Sequence, residues 1–169
     1  DPVKNVQQLP FGAVDGAVNP DLIPDRTAYT LLFRILGLPQ RATDLEKERA
    51  TSFAEHAGIK GKDSDRLLAV AREFRSQIGK LDDQVAQIKD RYWPKASPEI
   101  MDQLAQLQRE KEAIVDGLVT SLPSSLSANA HGSLQGWVGD HVKRHIKLIP
   151  PPATSPHHAA YNSPGMRAT

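Results

Sequence analysis

Eight apolar side chains follow one another at alternating steps of four and three: Leu67, Ala71, Phe74, Ile78, Leu81, Val85, Ile88 and Tyr92. That spacing puts them on one narrow stripe of a single long helix. A stripe of this kind is costly to leave in water, so it demands a second helix. The run from Ile100 to Leu118 supplies one: Ile100, Leu104, Leu107, Ile114 and Leu118 repeat with a similar rhythm, interrupted by Lys111 and widened by Met101, Val115 and Leu122. Pro94 stops the first run, and Ser97 caps the second with Pro98 in its first turn and Glu99 against the positive end of the helix dipole. A short connection between two amphipathic helices predicts a long antiparallel hairpin over about 63–122. The first of the two, from Asp63 or Ser64 to Tyr92, would span roughly 40 to 45 Å.

Three shorter helices are expected beside it. One starts at Asp25 after Pro24 and buries Ala28, Leu31, Leu32, Ile35 and Leu36, with Gly37 and Pro39 ending it. Another opens on Thr43-Asp44-Leu45-Glu46, a capping-box pattern, with Leu45, Phe53 and Ala57 as a weak apolar face and Gly58 as its stop. Gly58 to Lys62 reads as a linker, and Leu122-Pro123-Ser124-Ser125 as a break. The third is expected from Ser127 to Lys147. Gly132, Gly136 and Gly139 each weaken it by about 1 kcal/mol relative to Ala, which implies a close backbone approach or a bend.

The thirteen prolines lie mainly at 2 to 39 and 150 to 164. The fold class is therefore all-α: a helical domain over 25–149, an extended N-terminal arm over 1–24 and an extended C-terminal arm over 150–169. Val3, Val6, Leu9, Phe11, Val14 and Val18 give the first arm enough apolar surface to lie along the helices. The proline run Pro150-Pro151-Pro152 forces the second to be extended.

Composition excludes several function classes. The chain has no cysteine, so disulfides, thiolate zinc sites and cysteine nucleophiles are ruled out. A net charge of +1 gives no ground for broad nucleic-acid binding. No apolar run approaches 18 residues, so no transmembrane segment is expected, although peripheral contact with a membrane complex is compatible with the chain. The start at Asp1 without Met reads as removal of an export signal, or as trimming; export to the periplasm or beyond is the expectation.

No catalytic constellation is present. There is no Gly-x-Ser-x-Gly turn, phosphate loop, dinucleotide fingerprint or calcium-loop spacing. Asp82-Asp83 is an adjacent pair that diverges by about 100° on a helix, and so is no acid–base couple. No cofactor is expected. His141 and His145, four apart on one helix face, can chelate zinc, copper or nickel, and His157 and His158 can join them if the arm folds back. The zincin pattern needs Glu after the first His, where Val142 stands. The alternative is a solvated or partner-facing pair. The stretch from His141 to Thr169 holds no Asp or Glu but has Lys143, Arg144, Lys147 and Arg167, a mildly basic arm suited to an acidic partner or simply to solvent.

Two stretches carry a resemblance. Ile23-Pro24-Asp25-Arg26-Thr27-Ala28-Tyr29, followed by Leu31, Leu32 and Phe33, looks like a motif of uncharacterised exported bacterial all-helical proteins. The ending His141-Val142-Lys143-Arg144-His145-Ile146-Lys147-Leu148-Ile149-Pro150 is similar to their C-terminal portion. The likeness reaches over residues 15 to 150 and implies export and a helical fold, with no activity attached. The expected function is a non-enzymatic structural or accessory subunit of an exported assembly, acting through protein partners or self-assembly. Trp93, Trp137, Ile149, Pro150, His157, His158 and Tyr161 are its candidate partner-binding residues. The runner-up is a periplasmic helical-hairpin metal sensor or chaperone reading metal through His141 and His145.

Overall fold

The computed structural model describes residues 11–39 and 41–150; His157, His158 and Tyr161 lie outside the described residues. The chain is mostly helical. Strand β1 (Val14–Asp15) and a 3₁₀ turn at Pro20–Leu22 lead into helix α1 (Asp25–Leu36). Helices α2 (Asp44–His56), α3 (Gly61–Tyr92), α4 (Pro98–Ser125) and α5 (Ala128–Trp137) follow. A π turn at Val138–Val142, a 3₁₀ turn at Lys143–His145 and strand β2 (Lys147–Leu148) complete the order.

Local chemistry explains most of these limits. Thr43 accepts from the Glu46 amide while Glu46 accepts from the Thr43 amide at 2.7 Å, the reciprocal capping box. Ser97 accepts from the Ile100 amide at 3.4 Å. Helix α3 has 32 residues, about 48 Å at 1.5 Å each. It begins at Gly61, two residues ahead of the expected start.

α1, α3 and α4 pack on one another, and α2 covers part of α1 and α3. α3 and α4 are in register with their order reversed: Arg66 reaches the Ser125 carbonyl, while Asp82 pairs with Lys111 farther along. The core sits where α1 joins them, with Phe33, Phe74, Leu32, Leu36, Leu67 and Leu122 fully enclosed. The rings of Phe33 and Phe74 stand 5.5 Å apart. Burying each such side chain contributes about 1.5 to 3 kcal/mol. Arg26 of α1 forks onto Asp116 of α4 at 2.8 and 2.6 Å; both side chains are about half exposed, so this pair orients the helices more than it stabilises them.

Four expectations are corrected. Pro123 does not end α4, which continues to Ser125; the proline costs only the one bond it cannot donate to Val119, and the turn beyond it still closes, with the Leu126 amide donating to the Leu122 carbonyl at 2.9 Å. The helix expected over 127–147 is three pieces, because Lys143 donates to the Val138 carbonyl five residues back and the ladder slips into a π turn. The chain has a small sheet as well: β1 and β2 pair antiparallel, Val14 opposite Leu148 and Asp15 opposite Lys147. Finally, Leu45 and Ile35 are exposed, and α2 packs through Ala50, Ala54 and Ala57. Small residues there let α2 lie close to its neighbours.

Candidate functional site

Two regions bring chemistry together. The first is the outer end of the α3–α4 pair. The stripe is buried through Leu81, half-buried at Val85 and Ile88, and exposed at Tyr92. On α4 the first fully buried position is Leu107. Two helices alone shield only one face of each other, and α1 and α2 end well short of this point. Tyr92, Trp93 and Met101 are 41%, 58% and 48% exposed there. Lys89, Arg91 and Lys95 stand among them, with Asp90, Glu99 and Asp102. Glu99 is held below the ordinary carboxylate range by hydrogen bonds from its own amide and the Ser97 hydroxyl. The cap thus fixes the direction in which α4 leaves the turn.

The second region is a cavity of 240 Å³ where α1 and α4 meet α5 and the π turn. Asp25 and Tyr29 of α1, Val119 of α4, His131 and Gln135 of α5 and Lys143 line it. The Lys143 ammonium stands 2.7 Å from the Asp25 carboxylate. Tyr29 is only 4% exposed. Burial, assisted by the Asp25 charge, pushes its phenol up to about 12, so it stays protonated and able to donate. None of these four ionisable or donor groups (Asp25, Tyr29, His131, Lys143) stood out as a set in the sequence. Asp25 reads there as a helix start and Lys143 as part of a basic arm, and no local signal links them.

The sequence-derived candidates are scattered. His141 and His145 are exposed; His145 Nδ1 lies 2.7 Å from the His141 carbonyl oxygen, and the His141 ring stacks 5.7 Å from Trp137. Among the described residues no group of three or more His, Cys, Asp or Glu side chains is placed to hold a metal ion. Trp137 is half-buried, with Phe53 of α2 set edge-on at 4.7 Å, so it joins α2 to α5. Ile149 is 64% exposed and follows β2; Pro150 is half-buried.

Another concavity, of 350 Å³, lies between α1, α3 and α4 over Leu31, Phe74, Ile78 and Val115. Its rim charges satisfy one another: Arg26 with Asp116 and Glu112, and both Arg34 and Lys111 with Asp82. Among the described residues no helix is long and apolar enough to cross a membrane. In comparison with known proteins, the chain matches no family model, no curated protein and no solved structure.

Proposed function

We propose that this chain is a non-enzymatic structural or accessory subunit of an exported protein assembly, and that it belongs with the exported bacterial helical proteins its Ile23–Tyr29 stretch resembles. It works through protein–protein contacts, and its long α3–α4 hairpin is the arm that makes them. The observation that carries this reading is the uncovered cluster of Tyr92, Trp93 and Met101 at the far end of the pair. A Trp and a Tyr left in water forgo stabilisation that a partner's pocket would return, and these residue types dominate interface energetics. The neighbouring charges, three of each sign, suit a polar rim that sets orientation rather than a membrane-seeking or nucleic-acid-binding face.

Site-specific photo-crosslinking tests it. A photoreactive residue at Tyr92 or Met101, expressed in the native host, should give a discrete protein adduct in the exported fraction. The same residue at Glu48, on the exposed face of α2 opposite Ala50 and Ala54, should not. No adduct from the tip, together with a strictly monomeric chain by light scattering, overturns the proposal.

A further inference from the structure

The cavity beside the π turn supports an inference of its own, independent of the exposed hairpin end. We propose that it is a binding site for a small organic carboxylate, of the size range from acetate to glutamate, held by the Lys143 ammonium and the Tyr29 hydroxyl.

The donors come first. The Lys143 side chain is only 15% exposed, and the Asp25 carboxylate meets it at 2.7 Å through one oxygen. An ammonium carries three protons. Burying it with a single counter-charge leaves donor capacity that an incoming oxyanion can use. Asp25 itself is 72% exposed, so water screens its charge and it can yield the inner position without being stranded.

Tyr29 gives the second, independent observation. The residue is more than nine-tenths buried. Burial and the Asp25 charge, and no hydrogen bond, account for the retention of its proton. Among the described residues no polar side-chain atom is sealed off without a partner. Tyr29 lines the same cavity as Lys143. A buried phenol that opens onto a cavity next to a buried ammonium is a two-point donor set for a carboxylate.

The cavity is also held open. The π turn inserts one extra residue into its wall, a distortion typical of ligand sites in helices. Gly139 lines it, and a Cβ added there would meet nothing within 4 Å, so a larger side chain can be placed on this wall without a clash. The 240 Å³ corresponds to roughly eight water volumes at about 30 Å³ each. On the α4 side, the Val119 carbonyl lacks the donor that Pro123 cannot supply. It offers an acceptor to a hydroxyl or amino group carried next to the carboxylate.

Titration of the ¹⁵N-labelled full chain, followed by amide shifts, tests the assignment with acetate, lactate and inorganic phosphate as separate probes. Lactate should give saturable shifts at the Gly139 and Lys143 amides, with acetate weaker because it lacks the hydroxyl. Tyr29→Phe removes one oxygen and keeps the ring against Phe33; it should weaken lactate binding about tenfold. Gly139→Leu fills the cavity and should abolish the shifts while circular dichroism stays unchanged. The proposal fails if neither carboxylate saturates. It also fails if both variants bind like the parent chain, or if phosphate alone binds.

Discussion

Gly16 is where one missing methyl group matters most. Its amide donates to the Ile146 carbonyl at 2.9 Å, and an added Cβ would stand 1.8 Å from the Lys143 carbonyl oxygen. No rotamer relieves a clash with backbone. Gly16→Ala should cost about 2 kcal/mol or more, read by urea unfolding, because the ribbon must detach from the 3₁₀ turn. Gly132 and Gly136 are the opposite case. An added Cβ at either meets nothing within 4 Å, so no backbone crowds α5. Gly136→Ala should raise stability by about 0.5 to 1 kcal/mol in the same assay. In the sequence these glycines look alike. The choice between close approach and bend, open for the C-terminal helix, is settled by the slip into a π turn that follows them. Close approach to backbone belongs instead to Gly16 and, at the end of α1, to Gly37.

At the scale of elements, the starts of helices were legible because caps are local chemistry. Thr43, Ser97 and Ser127 all cap where the pattern places them. Ser97→Ala should cost about 1 kcal/mol in thermal or urea unfolding. A longer link was not legible: Asp63, in the first turn of α3, accepts from the Ser127 amide at 2.8 Å and from its hydroxyl at 2.7 Å, and so ties the start of α3 to the start of α5. Hydrogen bonds hold Asp63, Glu46 and Asp116 below the ordinary carboxylate range. Their folded pKa values are lower than the unfolded ones. Their stabilisation is therefore complete above the unfolded values near 4 and is lost as pH falls through the folded ones. The melting temperature should hold between pH 5 and 7 and drop below about pH 4. Asp63→Asn should flatten part of that acid limb in a calorimetric series, since the amide cannot respond to protonation.

Across the whole molecule, one apolar stripe serves two purposes. From Leu67 to Leu81 it is core; from Val85 to Tyr92 it is progressively uncovered. Phe74→Ala, at 2% exposure, should cost about 3 to 5 kcal/mol. Trp93→Ala should change stability by no more than about 0.5 kcal/mol. Equal losses at both positions in urea unfolding would mean that the far end is packed like the base, and the contact role proposed for it would lose its footing. The period of the stripe carries no hint of this division, since all eight positions satisfy it equally well.

The amino-acid order alone determined what neighbours within one or two helical turns can decide: which runs are helical, where caps and prolines begin them, and which face of the long α3 and α4 is apolar. Those outcomes depend on interactions among residues three and four apart, which any reading of the chain contains. Tertiary structure decided the rest. It set how far α1 and α2 reach along the long pair, paired Val14–Asp15 with Lys147–Leu148, and carried α4 through Pro123. It also closed Asp25, Tyr29, His131 and Lys143 around one cavity. Each of these depends on surfaces that meet only after the helices pack, so its energy appears in no local window of the sequence.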